Sequence, residues 1–147
     1  MTAAALFTQI NTDLKQAMKQ SQAEATNTLR MLVSAVRNEQ IAKQKDLSDE
    51  DVVAVVSREV KKRRDSVTQY TAAGRADLAD KEKAEISILQ KYLPEQLSED
   101  QIREQVKMVI GENAGAPFGK VMGAAMAKLK GQADGNVVQR LVKEQLG

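Results

Sequence analysis

The chain has 147 residues, of which 42% are hydrophobic, 29% charged and 3% aromatic, with a formal net charge of +2 at pH 7. It contains neither cysteine nor histidine, which excludes disulfides, thiolate metal sites, serine–histidine triads and imidazole ligands. We therefore expect no catalytic residue, no metal and no cofactor. No apolar run long enough for a membrane span and no secretory leader is evident, so we expect no membrane partner and a cytoplasmic location.

Composition predicts an all-helical protein, because helix formers dominate and there are only 8 glycines and 2 prolines. Leu6, Ile10, Leu14 and Met18 recur at four-residue steps, which predicts a first amphipathic helix. A second helix is predicted over residues 24–45. Its expected inner face consists of Leu29, Leu32, Val33, Val36 and Ile41.

The third helix is predicted to begin at a capping box. Ser48 can accept from the first-turn backbone while Asp51 reaches back, and Gly74 supplies a stop. Residues 58–64 of this helix hold five bases and one acid. Such a run is usually a solvated helix face, but Arg63 and Arg64 are also candidates for a secondary basic patch that contacts phosphate.

A boundary is predicted after the fourth helix, which covers residues 77–92. Leu93 precedes a proline and is therefore driven out of helical geometry. Residues 97–102 then repeat the capping pattern of residues 47–52 and start a fifth helix. We expect a four-helix module over residues 1–94 and a three-helix module over residues 95–147.

The sixth helix carries the most informative surface. Opposite its apolar stripe lie Gly119, Gly123, Ala124 and Ala127, next to Lys120 and Lys128, and residues 114–133 contain no acid. A glycine inside a helix costs about 1 kcal/mol relative to alanine, so two of them need a reason. Small residues let another backbone approach closely, and lysines favour a polyphosphate. A tight crossing with another helix is the alternative explanation.

A turn at residues 131–135 leads to the last helix, for which Asp134 is the predicted cap. Residues 115–121, at the start of the sixth helix, do not form a nucleotide-binding P-loop. The spacing between the first glycine and the Gly-Lys pair is one residue short, and Val121 stands where the pattern requires serine or threonine. The residues predicted to contact phosphate or shape that surface are Gly119, Lys120, Gly123, Lys128, Lys130, Gly131, Arg140 and Lys143.

Five segments, in order along nearly the whole chain, resemble the YqeY-like proteins, which are freestanding relatives of the tail of the GatB subunit of tRNA-dependent amidotransferase. They are LRMLVSAVRNE at 29–39, YLPEQLS at 92–98, GKVMG at 119–123, LKGQADG at 129–135 and LVK at 141–143. The resemblance implies an N-terminal helical bundle followed by a small three-helix tail domain.

The resemblance also implies a function. In the amidotransferase the tail holds the folded body of a mischarged tRNA, and the usual family label is carbon–nitrogen ligase with glutamine as amido-N-donor. That activity belongs to the assembled enzyme and is not expected from this chain alone. Two hypotheses follow: a non-catalytic module that binds the phosphate backbone of tRNA, and a helical adaptor for an aminoacyl-tRNA synthetase or an amidotransferase.

Overall fold

The computed structural model describes residues 4–147, which form α-helices and no strand. This confirms the expected all-helical class for the described range. None of these helices is both long and apolar enough to traverse a bilayer. The helices are α1 (Ala5–Lys19), α2 (Ala23–Lys43), α3 (Asp49–Ala72), α4 (Ala76–Gln90), α5 (Glu99–Glu112), α6 (Phe118–Leu129) and α7 (Gly135–Leu146).

Two helices begin at the predicted capping boxes. The Asp51 N–H donates to Ser48 Oγ at 3.2 Å, and the Ser48 N–H donates to Asp51 Oδ2 at 3.0 Å. The same reciprocal pair joins Ser98 and Gln101, at 3.2 and 2.9 Å. Each box satisfies backbone donors that have no partner inside the helix. Sequence patterns therefore placed the starts of α3 and α5 correctly.

The chain divides into two compact units between Leu93 and Pro94. The first three residues of the expected N-terminal module lie outside the described range. The first unit contains α1–α4. Its largest fully buried side chains are Ile10, Leu32, Val36, Val52, Val55, Val56, Val60 and Leu89.

The second unit contains α5–α7 around a separate core. Its buried residues are Ile102, Val106, Val109, Val121, Ala125, Leu129, Val138, Leu141 and Val142. Two hydrogen bonds attach the turn between α6 and α7 to the segment before α5. Gln96 Nε2 donates to the Gly131 carbonyl at 2.6 Å, and the Leu97 N–H donates to the Gln132 carbonyl at 3.0 Å.

The prediction that Ile41 lies on the inner face of α2 is wrong, since this side chain is 73% exposed. Met18, in the predicted apolar row of α1, is exposed as well. Both residues lie in the last turn of their helix. Hydrophobic periodicity gives the direction in which a side chain points, but it does not say how far along the helix the neighbouring helices extend.

Candidate nucleic-acid interface

Helix α6 has one buried face and one open face. Val121, Ala125 and Leu129 are buried in the core of the second unit. On the opposite side Gly119, Gly123 and Ala127 are exposed. Ala124 was expected on this side, but it is partly buried and packs against the core. The three exposed residues follow one another at four-residue steps and are therefore neighbours along a single row of the helix. We call this row the glycine face.

Packing within the described chain does not explain the two glycines. A Cβ atom added to Gly119 or Gly123 meets no other atom within 4 Å. Neither residue has the positive φ angle that would require glycine. The helix nevertheless bears the cost of Gly123 in its interior, about 1 kcal/mol relative to alanine, while Gly119 lies in the first turn of the helix. What remains is a surface that another molecule can approach closely.

Lysines border this face. Lys120 and Lys128 are exposed and belong to the adjacent row of α6, where eight residues separate them by about 12 Å along the helix axis. Lys130 follows directly after the helix and is also exposed. None of the three forms an ion pair with a described residue. Their ammonium groups are therefore available to an external anion.

Lys143 adds a cation at the start of α6. Its Nζ lies 5.7 Å from the ring centroid of Phe118, the first residue of α6, in a cation–π contact. No side chain caps this helix start and its first turn contains no acid. The positive end of the helix dipole therefore has the same sign as the nearby lysine.

Arg140 is engaged differently from the lysines. Its Nη2 lies 2.8 Å from Oε1 of Glu99, which also lies 3.3 Å from Arg103 Nη2. The hydrogen bond from Arg140, with the charge of Arg103 in support, lowers the pKa of Glu99. Arg140 is therefore held at the first residue of α5, and no sequence pattern had indicated Glu99 as its partner.

Gly131 shapes the turn after α6. It is partly buried and has a φ of +77°, which ordinary side chains rarely adopt. Its carbonyl is occupied by Gln96. The role of Gly131 at the edge of the binding surface stays a prediction.

The expected surface patch at Arg63 is wrong. Arg63 is 5% exposed, and its guanidinium contacts Glu85 at 3.2 Å and Glu59 at 3.4 Å. Arg63 follows Val56 and Val60 at helical spacing and so lies on the same inner face of α3. Arg64 is partly buried rather than exposed. Consecutive bases on a helix point to different faces. The spacing of Arg63 from Val56 and Val60 therefore indicated in the sequence that Arg63 lies on the inner face.

Opposite charges are segregated along the second unit. Seven bases and seven acids give it no formal net charge, yet residues 94–113 hold five of the acids and two bases, and residues 114–147 hold five bases and two acids. Within the described range, no group of three acidic side chains is placed to hold a metal ion. The excess of bases therefore lies in residues 114–147, the segment that contains α6 and α7.

These features define an all-helical protein whose second unit presents an open, lysine-bordered helix face. Residues 7–146 match the family model described as Yqey-like protein. The chain therefore belongs to the YqeY-like family, as its five sequence segments had indicated.

Several similar proteins carry the name "Altered inheritance of mitochondria protein 41, mitochondrial". The protein of Pyrenophora tritici-repentis is 29% identical over 143 residues, covering 94% of this chain and 79% of the relative. That of Candida glabrata is 38% identical over 85 residues, covering 56% and 47%. That of Saccharomyces cerevisiae is 33% identical over 102 residues, covering 67% and 55%. This chain thus spans about half the length of the last two.

The relatives correct the expected location. They are named as mitochondrial proteins, which contradicts the expectation of a cytoplasmic protein. That expectation rested on composition, and the absence of cysteine constrains redox chemistry without identifying a compartment. The names of these relatives do not describe an enzyme.

Proposed function

We propose that this protein is a non-catalytic RNA-binding protein whose second unit holds the phosphate backbone of a tRNA against α6. One observation carries the proposal. The glycine face is exposed, Cβ positions at Gly119 and Gly123 are open, and the adjacent Lys120 and Lys128 have no acidic partner among the described residues. A polyanionic backbone that approaches this surface meets two cations and no side chain that blocks contact.

The type of RNA follows from the chemistry of the surface. Lysine–phosphate contacts supply affinity that does not depend on sequence and decreases as salt concentration rises. Aromatic residues are only 3% of the chain, whereas proteins that bind single strands commonly stack bases on aromatic rings. A folded RNA with a fixed arrangement of phosphates fits this surface better than an extended strand.

The choice of tRNA rests on the likeness of the tail segments to the GatB tail. In this proposal the chain binds the body of tRNA, while chemistry on the aminoacyl ester belongs to a partner. An aminoacyl-tRNA synthetase or an amidotransferase is the proposed partner. The carbon–nitrogen ligase label of the family then applies to that assembly and not to this chain.

A second candidate function is that of a helical adaptor. The row formed by Gly119, Gly123 and Ala127 also suits a close crossing with a partner helix. Such a crossing gains its energy from packing and has little dependence on salt. The unpaired lysines beside the row favour the RNA hypothesis, because a helix crossing has no need of them.

The decisive experiment measures tRNA binding by the full chain and by the double variant Lys120→Glu, Lys128→Glu at low salt. We expect the variant to lose at least about ten-fold in affinity and the dependence of binding on salt to become weaker. The matched control is Lys15→Glu, Lys19→Glu, which makes the same charge change on exposed positions of α1.

The outcomes separate the two functions. Equal affinity of both double variants and the native chain at low salt refutes a tRNA site on α6. Capture of a synthetase or amidotransferase that is insensitive to salt and to both lysine substitutions favours the adaptor.

A further inference from the structure

A groove in the first unit lies between α2 and α4 and has a volume of about 390 Å³. This volume is in the range of sites for small organic ligands. The groove plays no part in the RNA-binding proposal. Its lining consists of Glu24, Asn27, Thr28 and Met31 from α2 and of Lys81 and Glu85 from α4.

Thr28 supplies a buried hydroxyl without a partner. The residue is 1% exposed and its side chain forms no hydrogen bond with a described residue. No fully enclosed side-chain nitrogen or oxygen in the described range lacks a partner. The Thr28 hydroxyl is therefore not fully enclosed, and Thr28 is one of the residues that line the groove. An unbonded hydroxyl in such a position costs free energy unless water or a ligand satisfies it.

Glu85 supplies a second acceptor. It is 8% exposed, and Arg63 Nε donates to its Oε1 at 3.2 Å. Its Oε2 receives no hydrogen bond from a described residue. One oxygen of a nearly buried carboxylate is thus fixed in position by Arg63, while the other remains free to accept from a ligand.

The groove lining holds two acids, Glu24 and Glu85, against one base, Lys81, and Arg63 borders the groove through a contact of its Nη2 with Met31 Sδ at 3.9 Å. Within the described range, Arg63 is the one buried base of this ion-pair cluster and is shared by two acids, Glu59 and Glu85. The exposed Lys62 pairs with Glu59 at 3.1 Å, so neither base contacts the free oxygen of Glu85. Glu24 adds a further acid to the lining. A protonated amine has three donors and a positive charge that match these acceptors.

We propose that this groove binds the protonated primary amine of a small aliphatic molecule. The ammonium group donates to Glu85 Oε2 and Thr28 Oγ1, and the alkyl chain packs against Met31. Two kinds of molecule carry this group. An alkylamine uses the acceptors alone, whereas an amino acid can also place its carboxylate near Lys81.

The test is an NMR titration of the full chain with n-butylammonium, γ-aminobutyrate and the uncharged 1-butanol. We expect saturable shifts of α2 and α4 amides with at least one of the two amines in the millimolar range, and none with the alcohol. Tighter binding of γ-aminobutyrate, abolished by Lys81→Met, identifies an amino acid as the preferred class. Equal affinity for both amines shows that the groove recognises the ammonium group and makes no use of the carboxylate.

Thr28→Val tests the contact without removing a partner of Arg63. Because it deletes a hydroxyl that has no bond, the variant should fold at least as well as the native chain, yet bind the amine about five-fold more weakly. Thr12→Val, an exposed site on α1, is the matched control and should change nothing. The proposal is overturned if neither amine saturates, if 1-butanol binds equally well, or if Thr28→Val binds as the native chain does.

Discussion

At the scale of single residues, Tyr92 fixes the end of the first unit. It is 6% exposed, and its hydroxyl donates to Asp13 Oδ2 at 2.6 Å. Gln9 and Lys91 also contact the Asp13 carboxylate. Burial and the bond to Asp13 raise the pKa of Tyr92. Burial alone would raise the pKa of Asp13, but the hydrogen bonds from Tyr92 and Gln9 outweigh it and lower that pKa.

We expect Tyr92→Phe to destabilise the protein by about 1–2 kcal/mol near neutral pH, because the bond to a carboxylate is lost. A raised pKa in the folded state means that the unfolded state releases the proton first. The contribution of Tyr92 is therefore complete below the ordinary value of 10.0 and is lost as pH rises above it. Urea unfolding at neutral and alkaline pH measures both effects.

The matched control is Tyr70→Phe, since Tyr70 is partly exposed and its hydroxyl has no hydrogen bond in the described range. Tyr70→Phe should retain the alkaline loss of stability, and Tyr92→Phe should reduce it. An unchanged alkaline profile in Tyr92→Phe would contradict this account of Tyr92.

Glu99 acts as an internal competitor for phosphate if the tRNA proposal holds. Its Oε1 forms an ion pair with Arg140 Nη2 at a distance of 2.8 Å. We expect Glu99→Gln to release Arg140 and to raise tRNA affinity about three-fold or more at low salt. Filter binding over a range of salt concentrations measures the gain, which should diminish as salt rises.

Asp100→Asn provides the control for net charge. Asp100 pairs with Arg103 at 2.9 Å and has no contact with Arg140. If both variants raise the affinity equally, the effect comes from overall charge and the specific role of Glu99 is disproved. Adding Arg140→Gln to Glu99→Gln should cancel the gain.

At the scale of helices, local signals were predictable and tertiary partners were not. The boxes at Ser48 and Ser98 depend on residues within one turn, so the sequence pattern was sufficient to place them. The burial of Arg63 depends on Glu85, which is on another helix. The exposure of Ile41 likewise depends on where adjacent helices stop. The periodicity of one helix therefore predicts neither the burial of Arg63 nor the exposure of Ile41.

The glycine face shows the same division within the candidate site. Periodicity predicted that Gly119 and Gly123 lie opposite the core, and the structure confirms that both are exposed. The attachment of Arg140 to Glu99 and of Lys143 to Phe118 requires the packing of α7 against α5 and α6. The binding role of these residues stays a prediction.

Gly123→Leu tests whether close approach to α6 matters. The added side chain enters open space, so we expect no loss of stability and a gain of up to about 1 kcal/mol from better helix propensity. Binding of tRNA, or of a partner helix, should nevertheless fall at least about ten-fold, because the side chain holds the partner away. Thermal unfolding and binding assays on the same sample separate the two effects.

Gly111→Leu is the matched control, since Gly111 is an exposed glycine of α5 with equally open surroundings. It should gain stability in the same direction and leave binding unchanged. If Gly123→Leu binds as well as the native chain, the two glycines have no role in recognition.

At the scale of the whole molecule, the family was recognisable from ordered segments, and the match over residues 7–146 establishes it. Location was not predictable in this way. Composition reports the chemistry that a chain can perform, whereas a compartment is set by signals that composition does not record. The finding that contradicts the cytoplasmic expectation, the mitochondrial names of the relatives, came from the comparison and not from the fold.

The segregation of charge in the second unit has a consequence for handling the protein. Its acidic portion, residues 94–113, and its basic portion, residues 114–147, are complementary in sign. At low ionic strength two molecules can therefore attract each other head to tail, a tendency that weakens once the Debye length falls to about 10 Å near 0.1 M salt. Dimers formed in this way would mask the lysines of α6 at high protein concentration, so binding at low salt has to be measured with dilute protein.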